Sequence, residues 1–186
     1  MKINKQSSIY FVSFFTIVIF SFILVLYAIN IAMSDKIENA KNAELKQLLK
    51  TQLTCKNYIS QSIDEKNFYY CPKSNIISLH SYSDVAYAGP IEYLASFDLN
   101  NLHIKQIDII NHKETPGLGN KIEDKTWLSS LYNKASNLLK LKQNGGAIDS
   151  FTAASITPTQ FLKSLNKQLE WLKNNKQNII TTINKE

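Results

Sequence analysis

Between residues 6 and 34 the chain carries no Asp, Glu, Lys or Arg. Within that window "IYFVSFFTIVIFSFILVLYAINIAM" offers about 25 mostly apolar residues, enough to cross a bilayer as a tilted helix. A cleaved signal peptide has an apolar core of only about 7–15 residues ending in an A-x-A-like site. Ala28 and Ala32 are too far apart to form that site, so the pattern predicts a retained anchor. The next stretch, "DKIENAKNAELKQLLKTQL", keeps Ile37, Leu45, Leu48 and Leu49 on a helical period and extends or restarts the anchor helix. Residues 54–74 mix Cys, Tyr, Asn and Pro72 and read as a connecting segment.

The pattern then changes period. "NIISLHSYSD" reads as a strand, and "VAYAGPIEYLASFDL" as another, interrupted at Gly89-Pro90. "DLNN" is a turn, and "HIKQIDIINH" is the clearest strand, with Ile107 and Ile109 alternating against Gln106 and Asp108. Strand, turn and strand in succession predict an antiparallel pair. "KETPGLGN" is a loop holding two of the chain's 5 glycines. "KIEDKTWLSSLYNKASNLLKL" spaces Trp127, Leu131, Leu138 and Leu139 for a helix, and "QNGGAIDSF" is a turn with a short extended run. "FLKSLNKQLEWLKNN" closes the chain with Leu162, Leu165, Leu169 and Leu172 on one helical stripe. The expected fold is α+β: a tail over 1–8, a transmembrane helix over 9–33, a juxtamembrane helix and connection over 34–74, and one domain over 75–186. That domain is a small antiparallel sheet packed by helices.

Charge orients the anchor. Lys2 and Lys5 precede the span, while Asp35 and Glu38 follow it among Lys36 and Lys41. The short N-terminal tail is the cytoplasmic side by that asymmetry. In a bacterial cell the rest of the chain then lies at the periplasmic face of the inner membrane. Beyond the anchor, 19 of the 21 Lys face 15 acids, a net charge of +4. This balance is not a nucleic-acid footprint, because no Arg is present and the Lys residues are spread beside acids rather than gathered. The lack of Arg also removes the bidentate fork best suited to phosphate.

Cys55 and Cys71 are too far apart for C-x-x-C, and no His cluster completes a metal site. Outside the cytoplasm a disulfide is the default, with two separate buried thiols as the alternative. His80, His103 and His112 lack ligand spacing and read as surface or core histidines. There is no G-x-G-x-x-G for a dinucleotide and no cysteine run for an iron–sulfur cluster.

Candidate chemistry concentrates before the last helix, in "DSFTAASITP". Thr157, Pro158 and Gln160 fit the N-cap, N1 and N3 positions of a capping box. Ser155, two residues earlier, places a hydroxyl near the unpaired N–H groups and positive end of that helix. Such a place suits a phosphate without any Arg. By local chemistry alone, Ser155 is equally a second capping hydroxyl.

Three separated stretches resemble the FMN-binding domain family. "DSFTAASITP" is similar to its flavinylation motif D-x-x-[ST]-G-A-[ST]-x-T, "HKETPGLGNKIEDKTW" to its ETPGLG loop followed by a Trp, and "AYAGPIEYLASFDLNN" to its G-Y-x-G-P-I strand. The similarity covers roughly residues 84–166, and the single anchor agrees in type. Carried over by position, Asp149 takes the motif's acid, Thr152 its first hydroxyl, Ala154 its Ala, and Ser155 the hydroxyl esterified to the phosphate of FMN by a flavin transferase. Glu114, Thr115, Gly117, Leu118 and Gly119 match the loop that lies along the flavin. Two positions depart from the motif: its Gly is Ala153 and its Thr is Ser155. Serine is an adequate acceptor, whereas Ala at a left-handed position would cost roughly 1–2 kcal/mol.

The resemblance implies a membrane-anchored electron carrier of an Rnf-type ion-translocating complex, with FMN as cofactor. Its partners would be the other membrane subunits, the membrane itself and, during maturation, the flavin transferase. The corresponding subunit of the sodium-translocating NADH:quinone reductase is the alternative within the family. A module that kept the fold and lost covalent FMN is the alternative outside electron transfer.

Overall fold

The computed structural model describes residues 5–183 except 56, 65, 135–137 and 153. A long helix α1, Lys5–Leu53, leads into strands β1 (Ile59–Ile63), β2 (Lys66–Cys71), β3 (Ile76–Tyr82), β4 (Glu92–Asp98) and β5 (Ile104–Asn111). A short helix α2 (Lys125–Ser129) and the closing helix α3 (Ile156–Ile183) follow. The chain divides into two compact units, Met1–Lys46 and Gln47–Glu186. In the first unit, α1 is long and apolar enough to cross a membrane, and its apolar window is unburied.

In the second unit the strands form one antiparallel sheet in the order β1-β2-β3-β4-β5. The pleat sends alternate residues to opposite faces. Ile77 and Leu79 of β3 stand opposite Phe97 and Ala95 of β4, and all four are buried in the core. That core also takes Phe161, Leu162, Leu165, Leu169 and Leu172 from α3, so the leucine stripe forms the buried face as its period predicts. The Tyr93 ring stands 4.9 Å from Phe161 and its hydroxyl lies 2.6 Å from Ser164 Oγ. Burial pushes the Tyr93 phenol far above its ordinary range.

Ser78, Leu94 and Ser96 occupy the alternate positions, and the last turns of α1 pack there through Gln52. Its Nε2 donates to Leu94 O (3.1 Å) and Asp108 Oδ2 (2.6 Å), and its Oε1 accepts from Ser78 Oγ (3.2 Å). A buried amide satisfied on both ends fixes the helix end without the desolvation cost of an unpaired one. Nearby, Glu92 Oε1 accepts from His80 Nε2 (2.9 Å) and Tyr82 OH (3.0 Å), which makes His80 a structural partner.

Three expected elements turn out differently. Residues 54–74 carry the β1–β2 hairpin rather than a plain connection, its turn opening with Asp64 at φ 49°. Gln61 and Lys66 interrupt the face that carries Ile59, Ile63, Phe68 and Tyr70, which breaks the alternation in the sequence. "VAYA" before Gly89-Pro90 is a loop, closed by Ser83 N–H to Ile91 O (2.8 Å) and Ala86 N–H to Gly89 O (2.9 Å). The helix expected around Trp127 and Leu131 lasts only from Lys125 to Ser129. Asn133 turns to φ 55° and donates its N–H to Ile104 O (3.0 Å), which takes the chain back to the sheet.

Cys55 and Cys71 pair as a disulfide with Cα atoms 6.1 Å apart, resolving the alternative of separate thiols. The bond ties the residues just after α1 to the end of β2. Loop closure across a separation of 16 residues corresponds to about 3 kcal/mol. Reducing the detergent-solubilised chain is expected to lower its unfolding free energy by that order in a denaturant titration. Cys55→Ala/Cys71→Ala would be insensitive to reductant, whereas equal stability of oxidised and reduced wild type would contradict the assignment.

Candidate functional site

Three connections meet beside the start of α3 and enclose an open cavity of about 320 Å³. The β3–β4 loop contributes Tyr87. The loop after β5 contributes Glu114, Thr115, Leu118 and Gly119. The segment entering α3 contributes Ala154, Ser155, Ile156 and Thr157. These are the three stretches that carry the family resemblance, and the fold brings them to one place.

Each connection has its own local geometry. In "ETPGLG", Leu118 N–H and Asn120 N–H both return to Thr115 O (3.1 and 3.3 Å). Pro116 sits at the second turn position and Gly117, at φ 79°, at the third, the signature of a type II turn. Asn120 Oδ1 accepts from Gly117 N–H at 2.7 Å and holds the exposed tip. His112 holds the base: its Nδ1 accepts from Glu114 N–H (3.0 Å) and its Nε2 lies 2.9 Å from Glu123 Oε1. Those contacts assign the ring proton to Nε2 and employ His112 in the scaffold. It does not line the cavity.

Glu114 is buried although most of its loop is exposed. Its Oε1 accepts from Ala88 N–H (2.9 Å) and its Oε2 from the Thr157 hydroxyl (2.6 Å). A Cβ built on Gly119 would overlap Glu114 Oε2, so that position needs glycine for space.

The capping box expected at Thr157 and Gln160 is not formed. Helix α3 starts at Ile156, Thr159 N–H donates to Ser155 O (3.2 Å), and the Thr157 hydroxyl is committed to Glu114. Tertiary bonding to a carboxylate outcompetes the local cap, and the helix gains an earlier start. Pro158 is still accommodated, because an N–H in the first turn has no intrahelical acceptor. Ser155 thus stands at the helix entrance, exposed. Among the described residues its hydroxyl has no hydrogen-bond partner.

Asp149 and Thr152 do not line this cavity. They border a shallower groove beside Trp127. The Trp127 Nε1–H donates to Asp149 O (2.8 Å), its ring lies 4.8 Å from Phe151, and Asp149 pairs with Lys142 at 2.7 Å. Trp127 therefore steers the segment that leads to Ser155. Its own helix is capped by Asp124, whose carboxyl the Trp127 and Thr126 amides hold below the usual carboxylate range. Gly117 lies at the turn tip, and Ala153 lies outside the described residues. Tyr87 and Ala88 are site residues that the sequence pattern does not single out. The "AYAGPI" stretch carries them, but only the fold sets them against Glu114.

Comparison with known proteins gives the class. Residues 86–170 match the model of the FMN-binding domain. It is similar to the G subunit of the ion-translocating oxidoreductase complex of Buchnera aphidicola subsp. Baizongia pistaciae, 32% identical over 122 residues that span 59% of this chain and 56% of the relative. The protein of the same name in Haemophilus influenzae (strain PittEE) is 29% identical over 164 residues, 76% of this chain and 78% of the relative. That of Shewanella amazonensis is 33% identical over 100 residues, 50% and 46%. The chain thus spans just over half the length of the first of these relatives and about three quarters of the second.

The cavity fits a flavin nucleotide on its own observations. Its volume falls in the ~300–1,000 Å³ range of ligand sites. It joins a free hydroxyl at a helix entrance to the exposed apolar surfaces of Tyr87, Leu118 and Ile156. Gly119→Ala is expected to destabilise the fold by about 1–3 kcal/mol through overpacking, measured by denaturant unfolding. Unchanged stability would mean that the Glu114 carboxylate does not sit against this glycine.

Proposed function

We propose that this chain is the membrane-anchored flavoprotein subunit of an Rnf-type ion-translocating electron transport complex, and that it carries FMN esterified to Ser155. The observation supporting this reading is the convergence of Tyr87, the ETPGLG loop and Ser155 on one cavity. Other hydroxyls around Ser155 are less suited. Thr157 is buried and bonded to Glu114, Thr159 Oγ1 donates to Ser155 O (2.6 Å), and Thr152 belongs to the Trp127 groove. Thr115 lines the cavity as well, but on the turn rather than at the entrance of a helix.

The free N–H groups of the first α3 turn, with the positive end of the helix dipole, stabilise a phosphate beside Ser155. This suits a chain without Arg. Attachment is redox-neutral. Ser155 Oγ attacks the flavin-side phosphorus of a pyrophosphate-linked flavin nucleotide on the transferase. The Oγ–P bond forms, the P–O bond to the departing nucleotide breaks, and the hydroxyl proton passes to a base of the transferase. Bound there, FMN supplies the redox chemistry that the side chains lack. Thr115 and Leu118 then border the ligand, while Asp149, held by Lys142, and Thr152 present the acceptor segment to the transferase.

The anchor gives the attachment its use. With α1 in the inner membrane and the domain on the periplasmic side, a covalent bond retains a cofactor that would otherwise diffuse away. The other membrane subunits of the complex would exchange electrons with it.

Co-expression of the full chain with a flavin transferase is expected to give a band that keeps flavin fluorescence through denaturing electrophoresis. Ser155→Ala should lose it. A colourless wild-type band, under conditions that flavinylate a family control, would favour a module of the same fold without covalent FMN.

A further inference from the structure

The three connections around the cavity share few direct ties, and one side chain bonds to both of the others. Glu114 is only 6% exposed, and a buried carboxylate is costly unless its oxygens find donors. Oε1 takes the Ala88 N–H of the β3–β4 loop at 2.9 Å. Oε2 takes the Thr157 hydroxyl of the first α3 turn at 2.6 Å. The Glu114 N–H is held by His112 Nδ1 at 3.0 Å, and Gly119 leaves the carboxylate its room. Both oxygens therefore already serve the protein.

We infer that Glu114 is the positioning residue of this site: its carboxylate fixes the first turn of α3, and with it the Ser155 hydroxyl, against the ETPGLG loop. The inference rests on the reading of Ser155 as the attachment point and deepens it. It also gives the last Thr of the "DSFTAASIT" motif a task. Thr157 is two residues beyond the acceptor, and on a helix entrance its side chain turns inward while Ser155 stays outside. The motif's final hydroxyl is the handle by which the preceding one is held.

A group that contacts the ligand directly and a group that positions the helix respond differently to substitution. Glu114→Gln keeps an oxygen for the Ala88 N–H and offers an N–H to the Thr157 oxygen, which can accept. Only the charge is lost. Glu114→Ala and Thr157→Val remove the link, and Thr157→Ser restores its hydroxyl. The test uses the full chain in detergent and two readouts. One is amide hydrogen exchange at Thr159, whose N–H is the first-turn amide of α3 that is bonded, to Ser155 O, with the amides of residues 161–172 as the control for folding. The other is the rate of covalent flavin incorporation with a transferase and a pyrophosphate-linked flavin nucleotide.

Glu114→Ala and Thr157→Val are expected to speed exchange in the first turn by about tenfold or more, the scale of one lost buried hydrogen bond. Exchange over 161–172 should hold, and flavin incorporation should slow by a similar factor. Glu114→Gln and Thr157→Ser should stay near wild type in both. Unchanged exchange in Glu114→Ala would overturn the inference, as would loosened exchange with wild-type incorporation. Loss of incorporation in Glu114→Gln with the turn intact would also overturn it, in favour of a direct contact through the charge. Wild type that takes up no flavin would defeat the reading of Ser155, while the exchange arm still decides whether Glu114 holds the turn.

Discussion

A carboxylate buried between three loops sets the geometry of this domain's candidate site. Glu114 accepts one hydrogen bond from each of two segments distant in sequence, and its own amide is held by a histidine. Leaving either oxygen unpaired would cost the desolvation of a buried charge. The arrangement therefore constrains its neighbours: glycine at 119 for space, a hydroxyl at 157, and a free backbone N–H at 88. Those requirements reach into all three stretches that carry the resemblance. The cavity follows from them, since the same segments form its walls.

The rest of the domain places those loops. The antiparallel pairing of Glu92, at the start of β4, with Asn111, at the end of β5, brings the β3–β4 loop and the loop after β5 to the same end of the sheet. Helix α3 lies across the core with its leucine stripe buried, so its first turn comes to the same end. Trp127, held by Phe151 and Phe161, and its bond to Asp149 O steer the segment ahead of Ser155. On the other face Gln52 and the Cys55–Cys71 disulfide fasten the end of α1 to the sheet. A site built by loops is thus carried on rigid elements.

Periodicity revealed the elements whose buried positions recur regularly, the α3 leucines and the alternation in β5, while the apolar span was legible from its length and lack of charge. The β1–β2 hairpin was hidden because Gln61 and Lys66 interrupt its apolar face. The helix after Trp127 was overestimated because Asn133, at a left-handed φ, bonds to β5, a contact that no local pattern contains. The motifs for the site were readable by resemblance, and Thr157 was readable as a cap. Its real partner lies 43 residues away in sequence, as Ala88 lies 26 from Glu114, and neither pairing has a local signature.

The central claim is that the folded chain presents one hydroxyl, that of Ser155, for covalent FMN. Fragment-ion mass spectrometry of the flavin-bearing peptide tests it most directly, using the intact chain loaded by a flavin transferase and then digested. The expected result is a mass increment of one FMN less one water, localised to Ser155, with Thr115, Thr152, Thr157 and Thr159 unmodified. A flavin found on any of those threonines, or no modified peptide from a chain that has bound the cofactor, would contradict it.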